Sequence, residues 1–329
     1  MNTPDKKLND QECPVCKSKK IEICYTDIYN LTVSPDRFSV LKCTECSHAF
    51  TFPVPDLNSI THFYGEDYYS YNVNIDEFNN KTKFRIKKWL YTSDNRNLPS
   101  RVLRKIIGNQ IAIFPDIKKS DEKLKILDIG CGNGAFLSFM KALNLETYGV
   151  EISSKAIEIA RRNGHQVLMG TIEDALFPDD FFDIITMNNV LEHLQDPLSA
   201  LKKLNRFLKP GGELIICVPN FNSLSRKAFG KVWDGLAIPW HFHHFSMKSL
   251  KKATESVNFI NSEEKYIYRD IIRSSLINYS GRNKKDFNYY SLFMKGIGLH
   301  ALSYIIFPLF FFKIGKKSCP FITLHSYKA

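Results

Sequence analysis

The sequence lacks the features that mark an exported or membrane-spanning protein. Met1 to Gln11 is polar and charged and contains no apolar run of the kind that forms a secretory signal peptide. Gly296 to Phe312 is a run of seventeen uncharged residues, but a spanning helix needs about twenty, and this run contains Pro308 and His300. We therefore expect a cytoplasmic protein without a membrane-spanning helix.

The middle of the chain also lacks the excess of basic residues that is typical of a nucleic-acid-binding surface. The 329-residue chain has a net charge of +11, but Tyr266 to Ala329 supplies +8 of it, with ten Lys or Arg against two Asp. Lys123 to Lys265 is close to charge balance. An RNA-modifying enzyme is the main alternative hypothesis, and it would place basic residues among aromatic ones around its active site. The charge distribution disfavours this alternative, so we expect no nucleic-acid partner.

The spacing of the cysteines predicts a metal site near the N-terminus. Among eight cysteines, Cys13-x-x-Cys16 and Cys43-x-x-Cys46 form two pairs separated by twenty-six residues. Without an export signal, such pairs favour metal ligands over disulfides, and four thiolates can surround one Zn²⁺ tetrahedrally. Four thiolates leave no open coordination position, so we expect a structural zinc. Redox-active pairs or unligated core cysteines are the alternative interpretation.

The stretch from Lys125 to Met140 predicts a strand, a tight turn and a helix that together hold a ligand. Its first residues form a short apolar run typical of a buried parallel strand, and Ala135 to Met140 has the apolar period of a helix. Between them, Gly130, Gly132 and Gly134 let the backbone turn sharply and let a ligand approach closely. The spacing satisfies the dinucleotide fingerprint GxGxxA, so an NAD-dependent oxidoreductase is one interpretation.

The acidic residues around these glycines favour a second interpretation. Asp128-x-Gly130-x-Gly132-x-Gly134 resembles the DxGxGxG signature of class I S-adenosylmethionine-dependent methyltransferases more closely than it resembles the dinucleotide motif. Glu151 ends the next apolar segment, where a carboxylate can accept hydrogen bonds from both hydroxyls of a ribose. Both cofactors carry that ribose, so Glu151 does not discriminate between them.

Three motifs further along the chain decide between these two interpretations. A predicted strand begins with Phe182-Asp183-Ile184, a predicted helix begins with Leu191-Glu192-His193-Leu194, and Lys209-Pro210-Gly211-Gly212 precedes another strand. Together they resemble class I methyltransferases over about Lys123 to Tyr268, and dinucleotide dehydrogenases do not share the set. The predicted fold class is therefore α/β, a Rossmann-like seven-stranded methyltransferase sheet with a small N-terminal zinc ribbon and a C-terminal helical insertion. The resemblance implies that the last two strands form an antiparallel hairpin.

The same resemblance implies S-adenosylmethionine as the cofactor and indicates the residues that contact it. After the third strand such methyltransferases often have an acid that binds the adenine amine, but this chain has Thr171, and Glu173 or Asp174 is the substitute. The predicted cofactor-binding residues are Asp128, Gly130, Cys131, Gly132, Gly134, Glu151, Ile152, Thr171, Ile172, Glu173 and Asn188.

Histidines near two predicted strand ends are candidates for the base that removes the acceptor proton. His193 is predicted to begin a helix beside the methyl group, and His241 and His244 belong to a Trp-His-Phe-His-His-Phe segment. Some ubiquinone-pathway O-methyltransferases hold a divalent metal here with an ExxEH run, but Asn189 replaces its first Glu, which weakens that interpretation. The alternative interpretation is that each histidine is a structural residue, hydrogen-bonded or packed within the protein.

We predict three segments: a ribbon over residues 1–52, an aromatic linker with basic helices over 53–120, and a methyltransferase domain over 121–329. A basic, hydrophobic insertion is expected at about 270–318. The resemblance to a bacterial subgroup with a zinc ribbon implies a small-molecule acceptor, with a sugar or a lipid-linked saccharide as the candidate class. Residues 296–317 could also contact a membrane surface peripherally.

Overall fold

A computed structural model describes residues 11–30, 34–55, 113–115, 117, 122–267, 275 and 319–329. These residues fall into two compact units. One unit contains residues 11–55, 218–250 and the described part of 265–322. The other contains the described part of 56–217 together with 251–264 and 323–329.

The described residues form eleven strands and five α-helices. In chain order the strands are β1 (Ile21–Asn30), β2 (Ser34–Cys43), β3 (Ala49–Phe52), β4 (Lys125–Ile129), β5 (Glu146–Glu151), β6 (Gln166–Met169), β7 (Phe182–Asn188), β8 (Leu208–Pro219), β9 (His243–His244), β10 (Phe259–Ile267) and β11 (Phe321–Lys328). The helices are α1 (Ala135–Ala142), α2 (Ser154–Arg162), α3 (Pro197–Phe207), α4 (Leu224–Phe229) and α5 (Met247–Glu255).

Seven strands form the predicted Rossmann-like sheet, in the order β10-β11-β8-β7-β4-β5-β6. β4 lies in the middle and pairs in parallel with both β5 and β7, and β6 and β8 extend the parallel set on either side. Parallel strands bring their carboxyl ends to one edge of the sheet. The residues that follow β4, β5 and β7 therefore lie at the edge where ligands bind in open α/β sheets.

The motifs that carry the resemblance have a structural reason in this sheet. Asp183, near the start of β7, accepts a hydrogen bond from the backbone N–H of Lys125 at 2.8 Å and pairs with the Lys209 ammonium group at 2.7 Å. Gly212 is packed so closely that a Cβ atom there would lie 2.8 Å from the Lys209 carbonyl oxygen. These contacts align the first residues of β4, β7 and β8.

Side-chain caps set the helix starts, and one start differs from the prediction. Ser153 caps α2 by accepting from Ala156 N, and Ser246 accepts from Ser249 N at the start of α5. The prediction that His193 begins an α-helix is wrong. Leu191–His193 is a single 3-10 turn, and α3 begins at Pro197 because the Asp196 carboxylate caps it.

The cysteine-bearing strands do not form a sheet by themselves. β1, β2 and β3 pair in sequence, and β9 adds a fourth, antiparallel strand to β3. A hydrophobic core joins ribbon residues Ile28, Phe38 and Val40 to Phe221 and Trp233. The ribbon predicted over residues 1–52 thus belongs to a larger unit that includes residues 218–250.

Several sequence predictions fall outside the described residues. They are the aromatic linker with Phe63, Tyr64, Tyr68, Tyr69 and Tyr71, the basic stretches 77–91 and 99–114, except for the last two residues of the second stretch, and the helical insertion at 270–318, except for Ser275. Strands β10 and β11, which flank that insertion in the sequence, are neighbours in the sheet. In the described part of the chain, no helix has both the length and the apolar character needed to cross a membrane.

Candidate functional site

The turn after β4 requires glycine at two positions for steric reasons. Gly130 and Gly134 have φ angles of 68° and 79°, in the left-handed region that side chains rarely adopt. A Cβ atom at Gly130 would lie 2.6 Å from Cγ2 of Val190, and one at Gly134 would lie 2.8 Å from Cδ2 of His165. Side chains of the same unit therefore pack against the loop and fix its backbone.

The backbone N–H groups of this glycine loop are largely used within the protein. Gly130 N and Cys131 N donate to the Val150 carbonyl oxygen at 2.8 and 3.2 Å. Gly132 N donates to the Glu151 carboxylate at 2.8 Å, and Ala135 N to the Asn133 side chain at 3.2 Å. In a dinucleotide site such N–H groups bind the pyrophosphate. The loop thus offers little to a pyrophosphate.

Glu151 lies at the carboxyl end of β5 and is 7% exposed. Its Oε2 accepts from Gly132 N, and its Oε1 accepts from Ile152 N at 2.9 Å and Ser153 N at 3.0 Å. Three N–H donors therefore hold the Glu151 carboxylate against the glycine loop. A carboxylate has about four acceptor positions, so Oε2 retains capacity for a ligand hydroxyl.

Asp128 is a second buried carboxylate at the same edge and is 5% exposed. The Thr186 hydroxyl in β7 donates to its Oδ1 at 2.6 Å. The pKa of Asp128 is raised to about 7, chiefly by burial and also by the negative charge of Glu151, against the opposing effect of the Thr186 hydrogen bond. Two acidic groups beside one loop favour a cationic ligand over an anionic one.

The predicted adenine-contacting segment after β6 is organised around Asp174. Its Oδ2 accepts from Thr171 N at 2.9 Å and from the Thr171 hydroxyl at 2.8 Å. These hydrogen bonds lower the pKa of Asp174. Asp174 therefore shapes the turn, while Glu173 is exposed.

The other predicted cofactor-binding residues differ in whether a ligand can reach their side chains. Ile152 is 48% exposed and available as an apolar surface. The side chains of Ile172 and Cys131 are buried in the protein, so a ligand would meet them through their backbone atoms. Burial raises the pKa of the Cys131 thiol. Asn188 ends β7 and is half-buried.

The three candidate histidines have different surroundings. His193 is half-buried in its 3-10 turn and belongs to the same unit as β4. His241 belongs to the other unit, and its Nδ1–H donates to the Gly235 carbonyl oxygen at 3.0 Å, which leaves the lone pair on Nε2. His244 is 3% exposed, and burial lowers its pKa to about 3. Such a weakly basic, enclosed ring is better suited to structure than to proton transfer.

The four predicted metal ligands lie together in the ribbon. Their sulfur atoms are all within 4.8 Å of one another, with Cys13 Sγ to Cys46 Sγ at 3.5 Å and Cys16 Sγ to Cys43 Sγ at 3.6 Å. Zinc–sulfur bonds of about 2.3 Å imply sulfur–sulfur separations of about 3.8 Å in a tetrahedron, so the four thiols fit. A hydrogen bond from the Cys46 thiol lowers the pKa of Cys13 to about 5.

The turns after each cysteine pair show why glycine is common there. Lys17 and Ser47 have φ angles of 59° and 63°. Their N–H groups donate to the carbonyl oxygens of Cys13 and Cys43 at 2.9 and 3.0 Å. The chain therefore forms both turns with residues that tolerate the left-handed region less well than glycine does.

Sequence reasoning missed Thr186 and Thr51 as members of these sites. Thr186 lies directly beside Asp128 in the parallel pairing of β4 with β7. A polar residue inside an otherwise apolar strand was the available signal for Thr186. Thr51 binds residues 190 or more positions away, and no local pattern indicates that contact.

The sheet order, the glycine loop and the acid after β5 define a class I S-adenosylmethionine-dependent methyltransferase. The chain belongs to the methyltransferase domain family, whose model matches residues 96–264. The predicted family is therefore confirmed.

Individual relatives match over shorter stretches. An uncharacterized methyltransferase of Schizosaccharomyces pombe is 37% identical over 133 residues, covering 36% of this chain and 46% of the relative. A ubiquinone biosynthesis O-methyltransferase of Thiobacillus denitrificans is 30% identical over 108 residues, covering 31% and 47%. The chain thus spans about half the length of these curated relatives. A solved S-adenosylmethionine-dependent methyltransferase of Archaeoglobus fulgidus is 19% identical with a TM-score of 0.44, covering 69% of this chain and 94% of that one.

Proposed function

We propose that this protein transfers a methyl group from S-adenosylmethionine to a small-molecule acceptor. The observation that carries the proposal is the pair of buried carboxylates, Asp128 and Glu151, beside a glycine loop whose N–H groups are used internally. S-adenosylmethionine carries a sulfonium and an ammonium group, which this acidic edge attracts. A dinucleotide carries a doubly charged pyrophosphate, which it repels. The sulfonium supplies an activated methyl group, so the protein needs chiefly to align the acceptor and remove one proton.

The first test of this proposal is the pH dependence of cofactor binding. If the cation binds the ionised form of Asp128, binding lowers the pKa of this carboxyl and releases a proton. The affinity should then fall by up to about tenfold per pH unit below pH 7 and be constant above it. Calorimetry between pH 5.5 and 8.5 measures this dependence. NAD should show no binding at any of these pH values.

The control for this test is Asp128→Asn, which should bind more weakly at pH 8 and lose the pH dependence. A wild-type affinity that is flat between pH 5.5 and 7 would contradict the role of Asp128. Since the folded-state pKa of about 7 lies above the ordinary value of about 3.9, the ligand-free fold should also lose stability as pH rises between these values. Asp128→Asn should remove that loss as well.

We propose a small acceptor, and a sugar or lipid-linked saccharide as the class to test first. Several relatives are named as ubiquinone biosynthesis O-methyltransferases, and ubiquinone is a small molecule. The near balance of charge across Lys123 to Lys265 supports a small acceptor over RNA. Methyl transfer from labelled cofactor to a panel of sugars, lipid-linked saccharides and RNA compares these classes directly.

His193 and His241 are the histidines that we propose as proton acceptors. If His193 is the base, His193→Ala should lower turnover by roughly a hundredfold or more while cofactor affinity is unchanged. If His241 is the base, His241→Ala should have this effect instead. His244→Ala serves as the comparison because its ring is enclosed and weakly basic. Equal turnover in all three variants would assign proton removal to water.

We propose that the ribbon cysteines hold one structural Zn²⁺. The tetrahedral fit of Cys13, Cys16, Cys43 and Cys46 supports this role, as does the absence of any disulfide among the described cysteines. Four thiolates occupy all four coordination positions of the zinc and leave none for a substrate. This centre would therefore stabilise the ribbon and take no part in methyl transfer.

Residues 296–317 support a further proposal, that the protein contacts membrane surfaces without crossing them. The apolar run from Gly296 to Phe312 is flanked by lysines at 295, 313, 316 and 317, each worth about 1 kcal/mol near anionic lipid. The protein should sediment with phosphatidylserine vesicles at low salt. High salt, or Ser at both Phe310 and Phe311, should release it. Protein that stays in the supernatant at low salt would contradict the proposal.

A further inference from the structure

A single residue of the cysteine-bearing sheet, Thr51, makes three hydrogen bonds to the histidine segment formed by residues 241–244. Its N–H donates to the Phe242 carbonyl oxygen at 2.9 Å, and its hydroxyl donates to the His241 carbonyl oxygen at 2.8 Å. The same hydroxyl lies 3.1 Å from His244 Nε2. Thr51 is 1% exposed, so water does not compete for these contacts.

The hydrogen-bond pattern fixes the tautomer of His244. A threonine hydroxyl has one proton, and here the His241 carbonyl, which can only accept, takes it. The contact with His244 must therefore run from Nε2–H of the ring to the Thr51 oxygen. Nδ1 of His244 then carries the lone pair. No hydrogen-bond partner of Nδ1 is found among the residues that the structure describes.

The His241 ring is fixed from its other side. Its Nδ1–H donates to the carbonyl oxygen of Gly235. Gly235 in turn lies under the Trp233 ring, where an added Cβ atom would be 2.3 Å from the indole. Thr51 thus holds the backbone of His241, and Gly235 holds its imidazole.

Thr51 also connects this segment to the metal ligands. It lies in β3, which pairs with β2, and β2 ends at Cys43. Two further hydrogen bonds connect the residues after the histidine segment to the ribbon. Ser246 Oγ donates to the Ser47 carbonyl oxygen at 3.4 Å, and Lys248 Nζ donates to the Glu45 carbonyl oxygen at 2.5 Å. The histidine segment is therefore built onto the ribbon as an added strand.

We propose that Thr51 is a positioning residue for His241 and His244, and that the ribbon serves to hold this segment for the reaction. The importance of His241 rests on the proposed function. The hydrogen bonds from Thr51 to residues 241–244 do not depend on that function, because they lie within one unit. This difference allows the two ideas to be tested separately.

Protein labelled with ¹⁵N-histidine reports the tautomer of each ring by long-range proton–nitrogen spectra. In the wild type we expect His244 as the Nε2–H form and His241 as the Nδ1–H form. Thr51→Val keeps the shape and the backbone N–H but removes the hydroxyl. It should leave His244 with a mixture of tautomers and shift the His241 signals. Thr51→Ser should restore the wild-type spectrum.

Thr254→Val is the matched control, since Thr254 is also fully buried and its hydroxyl donates to the Lys251 carbonyl oxygen at 3.0 Å. This variant should leave the signals of both histidines unchanged. A wild-type His244 in the Nδ1–H form would overturn the proposal even if Thr51→Val failed to fold. Identical spectra for Thr51→Val and the wild type would overturn it too. Failure of S-adenosylmethionine to bind the wild type would count against the proposed function alone.

Discussion

Glu151→Ala is expected to bind S-adenosylmethionine at least tenfold more weakly than the wild type. The carboxylate is held by Gly132 N, Ile152 N and Ser153 N, which leaves an acceptor position on Oε2 for a ribose hydroxyl. A hydrogen bond to a charged acceptor contributes about 1.5–3 kcal/mol, which corresponds to tenfold or more in affinity. Calorimetry at pH 8 gives the affinity directly.

The control separates loss of the ribose contact from damage to the neighbouring helix. Glu158 lies on α2 and pairs with Arg162 on an exposed surface, where an ion pair contributes little. Glu158→Ala should therefore bind the cofactor like the wild type. Thermal denaturation of both variants shows whether the fold is retained. A dissociation constant for Glu151→Ala within twofold of the wild-type value would contradict the cofactor assignment.

Cys43→Ser is expected to lose the single zinc and with it the ordered ribbon. Structural zinc binding contributes about 10–16 kcal/mol of apparent free energy in small modules, which exceeds what the small ribbon core can replace. Because β3 pairs with β9, the loss should extend to the histidine segment. Metal analysis and hydrogen exchange of residues 34–55 and 241–246 measure the two effects.

Cys24→Ser provides the matched comparison, because Cys24 lies in β1 of the same sheet and is not one of the four ligands. It should retain one zinc per chain and wild-type exchange rates. Two results would contradict the prediction. One is an absence of zinc from carefully reduced wild-type protein, and the other is a full zinc content in Cys43→Ser.

The sequence by itself determined the parts of this protein that depend on local spacing. Apolar runs and glycines at fixed intervals predicted β4, the loop and α1. Two CxxC pairs predicted a ligand set because the two cysteines of such a pair are close enough to bind one metal ion. These features are local, since each depends on neighbouring residues whose order the sequence states directly.

Only the tertiary structure decided which distant groups meet. The register of β4 against β7 brings Thr186 to Asp128, and the pairing of β3 with β9 brings Thr51 to His241 and His244. The start of α3 at Pro197 instead of His193 is a different case, because the Asp196 cap and Pro197 form a local signal that the sequence contains. The two strand pairings share one physical reason. Hydrogen bonds between separated strands depend on packing energies that no local pattern contains.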